Sequence, residues 1–274
     1  MMLVTDFEYA NRRLSDFGCI MCHITTDAGV AKVNIGCDIT SNTVKNNNSS
    51  IHSDTSSSYD NVYMPTFEIA KISCDNNDDI EMTSLESRQL VKWLNRRTDE
   101  KFRVISEMSD ESNVCYYGKF NVEQIMLGSK IIGLSLTFTS NAPFGFADPN
   151  NLNFMILNNN ETFEICAESD ELGIVYPTLK VRCFYDGDIK ILNTTTGTYT
   201  LIKNCKSDET ITIDGEHKII VSDNEDHSST IANDFNYEYL DILIDELESK
   251  NIYEVSAPCE IALAYSPVRK VGVI

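Results

Sequence analysis
Apolar and polar positions alternate along residues 134–139, where Leu134, Leu136 and Phe138 interleave with Ser135, Thr137 and Thr139. That period of two puts alternate side chains on opposite faces of an extended chain, so the stretch predicts a strand with one face in a core and the other wet. It runs into Asn141-Ala142-Pro143-Phe144-Gly145. A proline followed so closely by a glycine cannot continue a central ladder, and the chain is expected to divide there into domains of residues 1–141 and 142–274.

Within the first domain, Phe7-Glu8-Tyr9, the polar Ala10-Asn11-Arg12-Arg13 and the apolar Cys19-Ile20-Met21-Cys22 predict a hairpin-like opening. Strand-like Ala31–Ile35 and Val62–Ile69 flank residues 40–61, TSNTVKNNNSSIHSDTSSSYDN, in which nothing could fill a core. So long a polar stretch inside a compact domain predicts a structureless loop, either one that orders against a neighbouring subunit or one that stays disordered. On the first reading Asn46, Asn47, Asn48, Ser56, Ser57 and Tyr59 are candidate subunit-interface residues. Thr83–Arg97, TSLESRQLVKWLNRR, carries the helix signal of this domain. Thr83 and Glu86 have capping-box spacing, and Leu90, Val91 and Leu94 share one face, with polar Ser87 in the slot one turn earlier. Trp93 is either an interface anchor or, the favoured reading, a packing residue between helix and sheet. Phe102–Glu107 and Val114–Gln124 complete the domain as further strands.

The second domain reads as short strands joined by glycine turns. Leu179, Val181 and Cys183 alternate with Lys180 and Arg182, Asp186-Gly187 and Asp214-Gly215 are tight-hairpin signals, and Glu260–Tyr265 alternates again. This spacing predicts an antiparallel sandwich. Asp234–Lys250 is the exception, because Leu240, Leu243, Ile244 and Leu247 fit one helical face, although DILIDEL also fits strand and turn.

Composition narrows the function classes. The 274 residues carry 22 Lys plus Arg against 42 Asp plus Glu, a formal charge of −20. Such a field repels phosphate backbones and anionic lipid, so direct nucleic-acid binding is not expected. The N-terminus lacks a basic start followed by an apolar run, and no window approaches eighteen apolar residues, so neither export by a signal peptide nor membrane insertion is expected. Nine scattered cysteines, an odd count, read as free thiols in a reducing cytoplasm.

Catalytic chemistry does not announce itself. Cys19, Cys22 and His23 spell C-x-x-C-H, the pattern of haem attachment or half of a zinc set, but no second C-x-x-C completes it and thiols in a strand are favoured. The four histidines, at 23, 52, 217 and 227, lie far apart in sequence. Asp223-Asn224-Glu225-Asp226 lacks EF-hand spacing, and no phosphate loop, dinucleotide fingerprint or G-x-S-x-G occurs. No catalytic residue, cofactor or metal is assigned.

Five stretches stand in a telling order: FEYANRRLSDFG, LVKWLNRR, YYGKF, SLTFTSNAPFG, and VYPTLKV with the closing AYSPVRK. Together they resemble the distal tail proteins of long-tailed phages and related tail-like particles. The resemblance spans nearly the whole chain and departs from the usual pattern at 40–61, where a shorter, glycine-marked hairpin is expected. It implies a mostly β fold, with an N-terminal tail-tube-like domain carrying one packed helix and a C-terminal galectin-like sandwich. It further implies a non-enzymatic hexameric ring at the virion tail tip, made in the bacterial host cytoplasm. Its implied partners are copies of itself, the tail tube protein, the tape measure protein and the tail-tip hub with its receptor-binding proteins. A competing reading is a carbohydrate-binding module on the second domain, with Tyr176, Phe184, Tyr185 and Tyr199 as its aromatic platform.

Overall fold
A computed structural model describes residues 6–22, 39–45, 52–59, 62–72, 81–105, 114–246 and 249–270. The chain forms two compact units: one runs to Ala147 and takes in Arg269, and the other is Asp148–Val268.

The first unit contains β1 (Asp6–Tyr9), β2 (Arg12–Arg13), a 3-10 turn (Leu14–Phe17), β3 (Cys19–Cys22), β4 (Ile39–Lys45), β5 (His52–Tyr59), β6 (Thr66–Lys71), α1 (Ser84–Leu94), β7 (Glu100–Ile105), β8 (Val114–Leu127), β9 (Lys130–Ser140) and β10 (Gly145–Ala147). Its main sheet has the order β2-β1-β7-β8-β9-β6-β3. The opening hairpin is closed by Ala10 and Asn11, both at positive φ, which matches the twist of a two-residue connection. At the centre β8 and β9 pair from Gly118↔Ser140 to Leu127↔Lys130. Leu134, Leu136 and Phe138 are fully buried, so the alternation in the sequence marks the core face.

Helix α1 begins as its sequence predicts. The Glu86 amide donates to Thr83 Oγ1 at 3.2 Å, and the Thr83 amide donates to Glu86 Oε2 at 2.8 Å. Leu90, Trp93 and Leu94 are buried, whereas Val91 faces outward. The polar slot at Ser87 is satisfied because Gln124 on β8 donates to its hydroxyl at 3.0 Å. Trp93 is a packing residue: its ring lies 5.7 Å from Phe7 at 6°, and its Nε1 donates to the Tyr9 carbonyl at 2.9 Å.

Residues 40–61 depart from the expected structureless loop. β4 and β5 pair antiparallel from Ile39↔Tyr59 to Lys45↔His52, with a register shift between Asn42 and Thr43. A Ser/Thr-rich hairpin satisfies its backbone across the ladder without an apolar face, so no period-two hydrophobic signal marks it in the sequence. The strand expected at Ala31–Ile35 lies outside the described residues.

The second unit contains β11 (Asn150–Ile156), β12 (Glu161–Cys166), β13 (Gly173–Val175), β14 (Thr178–Cys183), β15 (Gly187–Asn193), β16 (Tyr199–Cys205), β17 (Thr210–Asp214), β18 (Ile219–Ser222), α2 (Glu225–Ser228), α3 (Ile231–Asp234), β19 (Ile242–Ile244), β20 (Lys250–Val255) and β21 (Cys259–Tyr265). A five-stranded sheet, β11-β21-β14-β17-β18, and a four-stranded sheet, β12-β20-β15-β16, contribute to one hydrophobic cluster. Val181, Ile211 and Ile261 come from the first sheet, and Ile191, Tyr253 and Val255 from the second. The predicted hairpin at Asp214-Gly215 is present, with Asp214 Oδ1 accepting from the Glu216 and His217 amides at 3.1 and 3.0 Å.

Two expectations fail here. Asp186-Gly187 is not a hairpin turn: β14 belongs to the five-stranded sheet and β15 to the four-stranded one, so the chain changes sheets there. The carboxylate of Asp186 instead accepts from the Ser207 amide at 2.8 Å. The helix considered over Asp234–Lys250 is replaced by β19, which pairs with β13. Ile242 and Ile244 are buried while Leu243 between them is not, and that period-two burial outweighs the helical spacing.

Two outcomes test these contacts. A Cβ on Gly118 would sit 2.1 Å from the Thr139 carbonyl oxygen, so Gly118→Ala should destabilise the chain by about 3 kcal/mol in denaturant unfolding. The Glu86 carboxyl is held down at about 2, first by its hydrogen bond with Lys71 and then by the Thr83 amide. A carboxyl so depressed binds fewer protons folded than unfolded; its contribution is complete above its ordinary value of 4.5 and is lost as pH falls towards about 2. Glu86→Gln should therefore cost roughly 0.5–1 kcal/mol near pH 7, limited by solvent screening, with the gap to the native chain closing between those two pH values.

Candidate assembly surfaces
The six predicted interface residues fall unevenly on the structure. Asn46, Asn47 and Asn48 lie outside the described residues. Ser56, Ser57 and Tyr59 lie on β5, where their backbones oppose Asn42, Ser41 and Ile39. The half-buried Tyr59 ring meets Phe144 edge-on at 5.9 Å, and the Lys270 ammonium stands 5.3 Å from it. These contacts tie the base of the hairpin to its own unit.

The chemistry that distance in sequence concealed is a buried acid–histidine cluster in the second unit. Glu209 follows β16, Ser222 ends β18, and His227 lies on α2, which starts where Asn224 Oδ1 accepts from the Asp226 and His227 amides, each at 3.1 Å. His227 Nδ1 is 2.6 Å from Glu209 Oε1, and both side chains are buried. The Ser222 hydroxyl donates to that same oxygen, and the Lys206 amide donates to Oε2 at 2.7 Å. His227 Nε2 faces Asp234 Oδ2 at 3.6 Å, too long for a hydrogen bond. The carboxylate stands between hydroxyl and imidazole, so His227 does not contact the Ser222 hydroxyl, and the three groups do not line up in the nucleophile–histidine–acid order. The cluster instead pins α2 and α3 to β18.

Three of the buried thiols are held protonated at neutral pH. Burial pushes Cys19 up to about 11 and Cys259 up to about 12, and Cys183 is raised by its hydrogen bond with Cys205 and by burial. Cys19 and Cys22 sit on β3, and His23 lies outside the described residues. Among the described residues no group of three His, Cys, Asp or Glu side chains could hold a metal, and Asp223–Asp226 forms the start of α2. No helix among them is long and apolar enough to cross a membrane.

Of the four aromatics considered for a glycan platform, Phe184 is half-buried and two carry a lysine of the same chain. The Lys218 ammonium sits 3.3 Å from the Tyr176 ring centroid and 4.4 Å from Tyr239, and Lys190 covers Tyr199 at 4.6 Å. Tyr185 is open to solvent.

Charge is divided unequally. Residues 148–268 hold 23 of the 42 acidic side chains and only 7 of the 22 basic ones, leaving −16 of the −20 there. On the first unit a groove of about 570 Å³ runs between the 3-10 turn and α1. Phe17, Leu90 and Trp93 line it, with Phe17 stacked on Trp93 at 4.5 Å, and Arg12, Lys92 and Arg96 stand around it. Its two acids are engaged: Asp16 accepts from the Arg13 amide, and Glu86 pairs with Lys71 at 2.8 Å. Arg96 pairs with Glu100, while Arg12 lies over the Phe17 ring at 4.2 Å. Among the described residues neither Arg12 nor Lys92 has a carboxylate partner.

A family model described as the phage tail protein N-terminal domain matches residues 2–142, and one described as the phage tail C-terminal domain matches residues 144–265. The chain belongs to this phage tail protein family. No curated protein matches the chain. Among solved structures, this tail protein is similar to the Dit protein of phage SPP1, described as a paradigm of the hub adsorption apparatus in phages infecting Gram-positive bacteria. That similarity has a TM-score of 0.62 at 12% identity and covers 96% of this chain and 99% of that one, which establishes a shared fold. A chain of the phage P2 baseplate in its activated, calcium-containing conformation aligns at a TM-score of 0.48 and 11% identity, over 96% of this chain and 98% of that one.

If the acid–histidine cluster is structural, His227→Ala leaves the buried Glu209 with only the Ser222 hydroxyl and the Lys206 amide and opens a cavity where the ring was. The tail protein should then lose about 3 kcal/mol or more of stability in denaturant unfolding. An unchanged midpoint would show that Glu209 does not depend on His227.

Proposed function
We propose that the chain is a structural component of the phage tail tip, assembling as a hexameric ring that connects the tail tube to the tail-tip hub and its receptor-binding apparatus. The observation that carries this reading is the tandem match of two phage tail domains over residues 2–142 and 144–265, which leaves almost none of the chain for another activity. Three features support it. The first unit is a sheet whose outer strands, β2 and β3, end its ladder order. The buried Glu209 bonds to both His227 and Ser222 and ties their elements together, as a packing role would require. The net charge of −20 suits a wall past which DNA moves without sticking.

On this reading the partners are further copies of the chain, the tail tube protein, the tape measure protein and the hub proteins, and its place is the virion tail tip after synthesis in the host cytoplasm. Native mass spectrometry of the purified full chain, with projection images of the same sample, should give a six-fold species. A chain that remains monomeric at high concentration would overturn the proposal.

A further inference from the structure
Copies of a chain with a formal charge of −20 repel one another at a distance, so a stable contact between them needs a place where the local sign reverses. The groove between the 3-10 turn and α1 is such a place. Arg12 and Lys92 are exposed beside it, the acids at its edge are bound within their own unit, and Arg88 continues the cationic face one turn before Lys92 on α1. The surface is also apolar enough to bind more than counterions. Leu90 and the stacked Phe17 and Trp93 rings line it, Arg12 lies over Phe17, and Leu85, one turn before Gln89 on α1, is 64% exposed. Arginine and aromatic side chains over a packed floor are the residue types on which interfaces concentrate their binding energy.

We propose that this groove docks the acidic second unit of a neighbouring copy. The charge division selects that occupant: residues 148–268 hold −16 of the −20, so the complementary surface is built into the same chain. Joining two different patches, groove to acidic unit, makes a head-to-tail contact, the kind that closes into a ring when repeated about one axis. A symmetric groove-to-groove contact would bring Arg12 and Lys92 of both copies together and is disfavoured. The inference rests on the ring reading above and names the surface that forms the contact.

The test uses the full chain, mixed from normal and nitrogen-15-labelled preparations and cross-linked with a zero-length carbodiimide reagent. Mass spectrometry should find mixed-label peptides joining Lys92 to acidic residues within 148–268. Links from Lys92 only to acids of its own copy, or only to the first unit of another, would overturn the proposal. In parallel, Arg12→Glu/Lys92→Glu should weaken self-association by roughly tenfold or more, while Arg12→Lys/Lys92→Arg should leave it nearly unchanged. Matched thermal unfolding of both variants shows that the fold is intact. If the charge-reversed variant forms the same ring as the native chain, this inference falls and the ring stands; if the native chain itself stays monomeric, both fall. Inorganic polyphosphate is the competing probe: if it binds the native chain but not the charge-reversed one, and the ring is indifferent to the substitutions, the groove is a polyanion site instead.

Discussion
Strict alternation along β8 and β9 is the constraint on which the first unit depends. Because side chains on a strand alternate faces, the pairing Phe120↔Phe138 puts both rings on one side, 5.0 Å apart. Phe102 then meets Phe120 edge-on at 5.4 Å, Phe7 meets Phe120 at 5.7 Å, and Trp93 lies flat on Phe7. A slip of one residue in that register would turn the whole set to solvent. Gly118 is the point of closest approach in the ladder, and the Tyr9 hydroxyl donates to its carbonyl at 3.3 Å. A bulkier residue there would have to move the Thr139 backbone or break the pairing.

The second unit solves the same problem with two sheets, each supplying one wall of the core. Several of its buried polar groups bond to one another around β19, although Asp241 Oδ2 has no hydrogen-bond partner among the described residues. Asn193 donates to the Asp241 carbonyl at 3.1 Å, the Tyr253 hydroxyl donates to that same carbonyl at 2.7 Å, and Asn251 donates to Leu243 O at 2.9 Å. These bonds hold the segment around β19 against the four-stranded sheet. Burial and the neighbouring Asp241 charge push the Tyr253 hydroxyl well above its ordinary range, so it stays a proton donor at any physiological pH.

What could be read from the sequence follows from which signals are local. The α1 capping box needs only Thr83 and Glu86, three residues apart, and the β9 face needs only its own alternation; both were legible. Trp93 was legible as packing because its neighbours in the helix are apolar. The β4–β5 hairpin was not, because its Ser/Thr/Asn-rich sequence carries no hydrophobic period. Asp186-Gly187 misled because the dipeptide reports a turn but not which sheet the chain enters next. The Glu209–His227 pair and the groove of Arg12, Phe17 and Lys92 were invisible for another reason. Their members are brought together only by the completed fold, across 18 residues in one case and about 80 in the other.

The distribution of charge carries the argument one step further. A uniformly acidic surface would keep copies apart and favour solubility over assembly. Concentrating −16 on residues 148–268 leaves the remainder of the chain close to balance, with 19 acidic against 15 basic side chains. Arg12, Lys92 and Arg96 then outnumber Asp16 and Glu86 around the groove, and neither Arg12 nor Lys92 is held in an ion pair among the described residues. The groove face is thus basic through position and pairing, on a chain whose overall composition points the other way. Contacts of that kind fix orientation and exclude wrong partners more than they add raw affinity, as the proposed ring would require.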